Sequence, residues 1–500
     1  MDLLTIKTFG ALKKAGYRTR GIKDELRANL EAKLRKRQTA FEGIIGFEDT
    51  VIPDLETAIL SRHNILLLGL RGQAKTRIAR MMTGLLDEYI PYVEGSEICD
   101  DPFHPISWFA RARLAEMGDK TPISWLHRSE RYTEKLATPD VTVADLIGDV
   151  DPIKAATLKL PYSDERVIHF GLIPRSHRGI FVINELPDLQ ARIQVALFNI
   201  LQESDIQIRG FKLRLPLEVQ FVFTANPEDY TNRGSIVTPL KDRIESQILT
   251  HYPRSIDISR QITGQEAVIA EEQLKRVEVH NLLKDMVEQI AFEARESEYI
   301  DKKSGVSARL TISAYENLVS AAERRLLLNS EKKTMARIAD LAGVLLAITG
   351  KIELVYEGEQ EGPAKVAHIL IGKAIKSLLP EWLPDPEKSR KNKRQNPYSG
   401  IIDWFSQGHS LSLSQDLSDK EYARELQSVP GLKELVSQSQ SNADSKTRLL
   451  LMELALHALA EHSLLSKHYL ENGYEFKDMF NSLFNPATDD EDNFDEGSFQ

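Results

Sequence analysis

A phosphate-binding pattern occupies Gly69 to Arg77, where the chain reads GLRGQAKTR. The pattern is G-x-x-x-x-G-K-[ST], with Ala74 at its last glycine position. Small residues let backbone N–H groups surround a phosphate, a lysine reaches the β- and γ-phosphates, and a hydroxyl group binds Mg²⁺. A chance glycine turn is the alternative, but an apolar run precedes the segment and a helical pattern follows it. We therefore predict that ATP and Mg²⁺ are bound by Gly69, Gly72, Gln73, Ala74, Lys75 and Thr76.

A polar pair, Asn184 and Glu185, ends the next clear apolar run, GIFVIN. In most nucleotide-hydrolysing P-loop proteins this strand ends in Asp-Glu, where the first carboxylate holds the water shell of the metal and the second polarises the attacking water. Glu185 is in place, although a solvated strand-end carboxylate is the plain alternative. Asn184 can hydrogen-bond a metal-bound water or the Thr76 hydroxyl but adds no charge. We expect slower hydrolysis rather than none, because Mg²⁺ keeps several waters and is held mainly by phosphates.

Three more polar residues are candidates for the same site. Asn226 ends the run VQFVFTAN and could orient the attacking water, although asparagine before proline is also an ordinary turn signal. Arg243 follows a short helical turn in TPLKDRIESQI, and Arg309 opens a helix in GVSARLTISAYENL. A lone arginine is usually a surface salt-bridge partner, so residue type alone assigns neither of them.

Short apolar runs alternate with helical patterns around these residues. The predicted strands are 64–69, 179–184, 219–226 and 246–252, and predicted helices cover 76–86 and 191–203. Continuous apolar strands alternating with helices indicate a parallel sheet covered on both faces. Two β-like insertions, at 141–173 and 205–216, interrupt this rhythm, and the second contains a hairpin signal at Arg209-Gly210. We predict an α/β fold with a P-loop core and β-hairpin insertions, followed by an all-α lid and a helical extension.

Composition shifts divide the chain further. The segment 379–397 has four prolines, with five basic residues between 388 and 394, which is typical of a linker or exposed loop. The last residues are strongly acidic and are predicted to be disordered. The predicted organisation is a helical lead-in at 1–40, a nucleotide-binding domain at 41–253, a helical lid at 254–378, a linker at 379–397, a helical region at 398–485 and an acidic tail at 486–500.

The bulk composition excludes several classes of protein. The 500-residue chain has a formal charge of −10, and its one basic run lacks interleaved aromatic residues, so nucleic-acid binding is not expected. Cys99 is the only cysteine, which excludes an internal disulfide and a cysteine-rich zinc site; Asp100, Asp101 and His104 beside it have poor ligand spacing. No apolar run is long enough to span a membrane. We expect a cytoplasmic protein.

The order of these motifs resembles the AAA+ ATPases. More narrowly, residues 41–330 resemble the magnesium chelatase ATPase subunit and its MoxR-type relatives. The resemblance is carried by FEGIIGFEDTVIPDLETAIL with NILLLGLRGQAKTRIAR, then HFGLIPRSHRGIFVINELPDLQARIQVALFNILQE, then FVFTANPEDYTNRGSIVTPLKDRIESQI. The form G-x-x-G-x-A-K-T is common in that family, so Ala74 is not a defect. The insertions at 141–173 and 205–216 match its helix-two and pre-sensor hairpins.

The resemblance implies roles for individual residues. Ile45 and Gly46 would lie near the adenine, and Asn226 would be the first sensor. Arg243 would be the arginine finger that reaches the γ-phosphate of a neighbouring subunit, and Arg309 the second sensor. A homo-oligomeric ring, expected to be a hexamer, would then be needed for hydrolysis. The family also typically works with a partner protein that carries a von Willebrand A domain.

Two functions remain open at this point. In the first, the ring hydrolyses ATP and remodels a partner protein or assists metal insertion into it. In the second, ATP assembles a nucleotide-gated binding scaffold, and hydrolysis is very slow because Asn184 replaces the usual Asp. A transcription activator or helicase with the same core ranks last, since the activator loop GAFTGA is absent between residues 76 and 184 and the charge balance is acidic.

Overall fold

The computed structural model describes residues 3–162, 164–203, 205–207, 214–227, 235–391, 396–470 and 472–479. The chain forms two compact units, Met1–Tyr252 and Pro253–Gln500. The predicted acidic tail at 486–500 and the predicted turn at Arg209-Gly210 lie outside the described residues. In the part of the chain that is described, no helix combines the length and the apolar character needed to cross a bilayer.

A five-stranded parallel sheet forms the centre of the first unit. In chain order its strands are β1 (Ile65–Leu68), β2 (Tyr132–Leu136), β3 (Gly179–Asn184), β4 (Val219–Ala225) and β5 (Ser246–Leu249). Their order across the sheet is β5-β1-β4-β3-β2, and every neighbouring pair is parallel. The carboxyl ends of β1, β3 and β4 therefore meet at one edge, which is where ligands bind in open α/β sheets.

Alternate side chains of the central strands enter hydrophobic clusters on opposite faces of the sheet. Ile65 and Leu67 pack in one cluster with Ile78 of the helix that follows the phosphate loop, whereas Leu66 and Phe223 belong to the other. Burial on both faces explains why β1, β3 and β4 are almost wholly apolar. The predicted α/β core is thereby confirmed.

One of the five strands, β2, was not predicted from the sequence. It reads YTEKL, and none of its side chains is fully buried because it lies at the edge of the sheet. Edge strands alternate polar and apolar residues and so lack the continuous apolar run that identified the other four. The consequence for function is direct, because β2 carries Glu134, discussed below.

Helices cover the sheet, and short antiparallel strand pairs lie outside it. The strands Gly148–Val150 and Ile168–Phe170 pair antiparallel within the first predicted insertion, and Asp205–Gln207 pairs with Arg214–Pro216 in the second. A further antiparallel pair of strands, Tyr89–Val93 with Ile123–His127, was not predicted. In the described part of the first unit the α-helices are Phe9–Lys14, Ile22–Arg35, Val51–Leu60, Lys75–Met81, Trp108–Met117, Val143–Leu146, Pro152–Leu158, Leu172–Arg175, Ala191–Ala196, Phe198–Glu203 and Thr238–Lys241.

The predicted lead-in at 1–40 is part of the first unit. Its helix Ile22–Arg35 buries Leu26 and Leu30 in the same cluster as β1. Glu25 on this helix forms a buried ion pair with Arg131, the residue directly before β2, with an N···O distance of 2.6 Å. The N-terminal helix is therefore tied to the edge of the sheet by both apolar and charged contacts.

The second unit is mainly helical and has one continuous hydrophobic core. That core joins residues from Val277 to Phe476 and so includes side chains from both the predicted lid and the predicted C-terminal region. The α-helices are Ile256–Glu266, Glu271–Arg276, Asn281–Glu296, Arg309–Leu328, Leu345–Thr349, Tyr356–Glu361, Pro363–Trp382, Pro386–Lys391, Ser399–Ser406, Asp419–Gln427, Leu432–Ser439 and Ser445–Glu461.

Two features of the second unit were not predicted. A three-stranded antiparallel sheet, in the order Leu411–Ser414, Gly473–Lys477, Ser466–Leu470, adds β structure to a region expected to be helical. The segment predicted as a linker at 379–397 is packed where it is described, because Leu383 is buried and the Tyr398 hydroxyl donates to the Pro384 carbonyl at 2.5 Å.

Candidate nucleotide site

Lys75 lies at the centre of the predicted phosphate loop. The loop leaves β1 and leads into the helix Lys75–Met81, and Gly72 and Ala74 on the way have left-handed φ angles of 74° and 55°. The Lys75 ammonium donates to the Gly69 carbonyl, to the Leu70 carbonyl at 2.9 Å and to Asn226 Oδ1 at 2.8 Å. The ammonium is thus held between the ends of β1 and β4, ringed by oxygen acceptors.

Gln73 supports the phosphate loop through a hydrogen bond with Thr250. Its side chain is buried, and Gln73 Oε1 accepts a hydrogen bond from Thr250 Oγ1 at 2.6 Å. A Cβ atom on Gly69 would come within 2.0 Å of Thr250 Oγ1 and 2.3 Å of Gln73 Oε1. A side chain on Gly69 would therefore displace Thr250 or Gln73 and disturb the hydrogen bond by which Gln73 supports the loop.

Asn184 joins the strand end to the helix. Its Oδ1 accepts from Thr224 Oγ1 at 3.1 Å and lies 3.5 Å from Thr76 Oγ1, at the outer limit of a hydrogen bond. The structure thus brings together Thr76 and Asn184, the two predicted metal-site residues. Thr224, within β4, belongs to this cluster but was not singled out from the sequence.

Glu134 on β2 is the other residue that sequence reasoning missed. Asn184 Nδ2 donates to Glu134 Oε1 at 2.6 Å, and the Tyr132 hydroxyl donates to Glu134 Oε2 at 3.0 Å. Burial, and then the Glu134 carboxylate, raise the pKa of Tyr132, so this phenol stays a donor at neutral pH. A glutamate inside a strand that ends beside β3 is the signal that could have found this residue, had β2 been recognised.

Glu185 follows Asn184 with a left-handed backbone, φ 55° and ψ 51°. Such angles are uncommon for residues other than glycine and concentrate at functional sites. The Glu185 N–H donates to Thr224 Oγ1 at 3.1 Å, which fixes the turn, and the side chain is half-buried. The backbone of Glu185, the predicted general base, is therefore hydrogen-bonded to Thr224, which in turn donates a hydrogen bond to Asn184.

The predicted adenine segment packs beside the end of β5. Ile45 and Gly46 are half-buried, and Gly46 has a φ of 83°, which glycine adopts without strain. The flanking Phe47 meets the His251 ring edge-to-face at 4.9 Å. Thr50 Oγ1 and His251 Nε2 are 2.9 Å apart. No ligand contact tests the adenine role, which stays a prediction.

The two predicted arginines are separate cases. Arg243 is half-buried before β5; its Nη1 donates to the Pro239 carbonyl at 2.7 Å and its Nη2 to Gln202 Oε1 at 2.9 Å. Its guanidinium carbon lies 5.0 Å from the centre of the Phe198 ring. Arg309 is the first residue of a helix in the second unit, and its role as a second sensor stays a prediction.

The acidic residues near Cys99 have a structural role. Asp100 is fully buried, and its carboxylate accepts from the Ser96 and Ser107 hydroxyls, each at 2.6 Å. Within the described residues no group of three or more His, Cys, Asp or Glu side chains is arranged to hold a metal ion. Burial raises the pKa of the Cys99 thiol, which makes it a poor ligand and nucleophile.

The chemistry of the assembled groups fits Mg²⁺ and a phosphate chain. An ammonium group surrounded by replaceable oxygen acceptors can transfer to phosphate oxygens. The Thr76 hydroxyl and the Asn184 amide oxygen face one another, and oxygen atoms of this kind suit a hard cation that keeps most of its waters. Sheet order and phosphate loop together define a P-loop α/β architecture, in keeping with the resemblance to AAA+ ATPases.

No protein-family model matches the chain. Among solved structures it is similar to a proposed ATPase from Cytophaga hutchinsonii, at 17% identity over 72% of this chain and 97% of that one, with a TM-score of 0.27. It is also similar to a chain of the BchI–BchD complex of magnesium chelatase, at 20% identity over 64% of this chain and 98% of that one, with a TM-score of 0.32.

A third similar structure is NtrX from Brucella abortus in complex with ATP. The identity is 13% over 81% of this chain and 73% of NtrX, with a TM-score of 0.34. These TM-scores and identities are low. The assignment of the fold therefore rests on the strand order and the phosphate loop described above.

Proposed function

We propose that this chain binds Mg²⁺ and ATP at the carboxyl edge of its sheet and hydrolyses the γ-phosphate as a subunit of a homo-oligomeric ring. One observation carries the proposal: the Lys75 ammonium meets Asn226, and the Thr76 hydroxyl meets Asn184, at the adjoining ends of β1, β4 and β3. Three segments that are distant in the sequence thus supply the cation, hydroxyl and amide groups that phosphoryl transfer uses.

Each residue has one task in this mechanism. Lys75 would leave the loop carbonyls and bind the β- and γ-phosphate oxygens, while Thr76 would hold Mg²⁺ directly and Asn184 would hold it through water. When bound, the metal would offset the negative charge that builds up during transfer. Glu185 polarises the attacking water and Asn226 orients it, so that the water attacks in line with the leaving oxygen.

The ring belongs to the proposal because Arg243, which contacts Gln202 and Phe198, stands where the resembled family has an arginine that acts on the nucleotide of a neighbouring subunit. Arg243 would leave Gln202 and reach the site of a neighbouring subunit, where such an arginine can raise the rate by roughly 10³- to 10⁵-fold. A hexamer is the expected size. Turnover would remodel a partner protein, or assist metal insertion into it; a partner with a von Willebrand A domain is the expected type.

The second candidate function is a nucleotide-gated scaffold with very slow turnover. Asn184 favours it, because an amide supplies no negative charge of its own to the metal site. The set of Glu185, Asn226 and Arg243 favours the hydrolytic reading, since a protein that only binds ATP does not need a residue that polarises water.

Nucleotide binding is the first test. We expect a fluorescent ATP analogue with Mg²⁺ to bind the native chain and to bind Lys75→Ala about 10- to 100-fold more weakly, because hydrogen bonds to charged groups contribute about 1.5–3 kcal/mol. Lys36→Ala, which removes an exposed lysine of the same unit, is the matched control and should bind like the native chain. Equal affinity in Lys75→Ala would refute the site.

A further inference from the structure

The register of the sheet places Glu134 against Asn184. β2 and β3 are parallel, with Leu136 paired to Asn184. Glu134 is two residues before Leu136 and so projects on the same face as Asn184, as a diagonal neighbour. The 2.6 Å hydrogen bond from Asn184 Nδ2 to Glu134 Oε1 follows from this register.

This hydrogen bond determines which way the Asn184 amide points. A carboxylate can only accept, so the amide nitrogen must face Glu134. The amide oxygen then faces the hydroxyl groups of Thr224, at 3.1 Å, and Thr76, at 3.5 Å. Without Glu134 the amide could turn over and present its NH₂ group to the metal side, where a donor would repel a cation.

The Glu134 carboxylate is also held from its outer side. Arg80 Nη2 and Nε donate to Glu134 Oε2 at 3.0 and 3.1 Å. Arg80 and Thr76 are four residues apart on the helix after the phosphate loop and share one face of it. Two side chains of one helix turn thus contact the two ends of a chain of hydrogen bonds that runs from Glu134 through Asn184 to Thr76.

We infer that Glu134 is a positioning residue of the Mg²⁺ site: its Oε1 fixes the Asn184 amide with the amide oxygen toward Thr76, while its Oε2 is paired with Arg80. The carboxylate acts through the Asn184 amide, because it accepts from the NH₂ group and hydrogen-bonded groups polarise one another. The inference rests on the proposed function. It gives a physical reason why asparagine at this strand end is compatible with a working site.

The arrangement predicts that Mg²⁺ binding will respond unusually when Asn184 is replaced by the aspartate that is common at this strand end. Asn184→Asp would place two carboxylates in hydrogen-bonding contact, where like charges repel and one must take up a proton or move away. Asn184→Asp alone should therefore weaken the site. Asn184→Asp combined with Glu134→Gln exchanges amide and carboxylate between the strands and keeps the hydrogen bond.

The experiment measures the affinity of a fluorescent ATP analogue as Mg²⁺ replaces EDTA, together with phosphate release. The variants are Glu134→Gln, Asn184→Asp and the exchanged pair. Glu130→Gln, an exposed glutamate four residues earlier, is the matched control. We expect Glu134→Gln and Asn184→Asp each to raise the Mg²⁺ concentration that gives half-maximal binding of the ATP analogue by about 10- to 100-fold. This range is typical when a residue that hydrogen-bonds to a metal ligand is changed.

The inference is supported if the exchanged pair recovers a Mg²⁺ requirement within a few-fold of the native value. If the two substitutions merely damaged the structure, their effects on the Mg²⁺ requirement would add in the double variant. A native requirement in Glu134→Gln, or enhanced Mg²⁺ binding in Asn184→Asp alone, overturns it while leaving the proposed function intact. If the native chain fails to bind the analogue at any Mg²⁺ concentration, the proposed function falls, and this inference falls with it.

Discussion

Ala74 shows how a single backbone angle links sequence to function. Its φ of 55° lies in the left-handed region, which costs a residue with a Cβ roughly 1–2 kcal/mol. The general phosphate-loop pattern has glycine at this position, which adopts such angles freely. The alanine is thus tolerated at some cost in stability, and its methyl group packs beside the cluster that holds β1 and β5.

Ala74→Gly should raise the free energy of unfolding by up to about 1 kcal/mol, since relief of the left-handed strain exceeds the entropy that glycine adds to the unfolded chain. Urea unfolding followed by circular dichroism measures this change, and ATP affinity should be retained. Ala32→Gly is the matched control: Ala32 lies exposed within a helix, where glycine should cost about 1 kcal/mol. A loss of stability in both variants would show that Ala74 is not strained.

The sequence indicated four residues whose side chains lie together at one edge of the sheet. Lys75 contacts Asn226 and Thr76 lies beside Asn184, because a phosphate-loop motif fixes the local backbone and strand ends share an edge; their roles at a nucleotide stay a prediction. Glu134 and Thr224 were not predicted, since their importance arises from cross-strand neighbours. Such neighbours depend on strand register, which a single sequence does not specify.

A buried ion pair joins the N-terminal helix to the edge of the sheet that carries Glu134. Arg131 Nη1 and Nη2 contact the two oxygens of Glu25 at 2.7 and 2.6 Å, and Arg131 Nε donates to the Arg178 carbonyl at 2.9 Å. Arg131 precedes β2 and Arg178 precedes β3, so Glu25 fastens the N-terminal helix to both strands. β2 depends on this bond more than the central strands do, because it has a sheet neighbour on one side.

Glu25→Ala should lower the free energy of unfolding by about 3–5 kcal/mol, because it leaves the Arg131 charge buried without its partner. Glu31→Ala on the same helix removes an exposed ion pair with Arg35 and should leave the unfolding midpoint unchanged. Urea titrations of the two variants beside the native chain make the comparison. Equal effects would mean that the buried pair does not anchor the helix.

The same reasoning explains which elements the sequence predicted. The predicted strands were recognisable as mainly apolar runs, whereas β2 and Ile123–His127 mix polar and apolar residues and Tyr89–Val93 contains Pro91. Short strands of this kind are defined by their pairing partners rather than by their own composition. The sheet of the second unit was missed for the same reason, since Ser466–Leu470 reads SKHYL.

At the scale of the molecule, the predicted site residues are distributed unequally between the two units. The first unit contains the predicted phosphate loop, the predicted metal-site residues and Arg243, whereas Arg309 is the one predicted site residue of the second unit. The second unit has a single core that spans 277–476, so truncation at the predicted linker would expose apolar surface of both parts. Activity should therefore be tested on the full chain.

Mixing two inactive variants tests whether the site is completed by a neighbour. Arg243→Ala keeps its own phosphate loop, and Lys75→Ala keeps its arginine. If each ring site combines Lys75 of one subunit with Arg243 of the next, an equal mixture should regain roughly a quarter of native phosphate release, as expected for independent head-to-tail contacts. Activity that stays at the level of the separate variants would show that Arg243 does not act between subunits.

Steady-state phosphate release by the native full-length chain, with ATP and Mg²⁺ at saturation, tests the central claim most directly. Glu185→Gln is the comparison, because it removes the group that polarises water and retains the residues that bind ATP. Hydrolysis by the native chain that falls by about 10²- to 10⁴-fold in Glu185→Gln is the predicted result. If both chains bind ATP and release phosphate at the same negligible rate, the site is not hydrolytic, and the nucleotide-gated scaffold is the correct account.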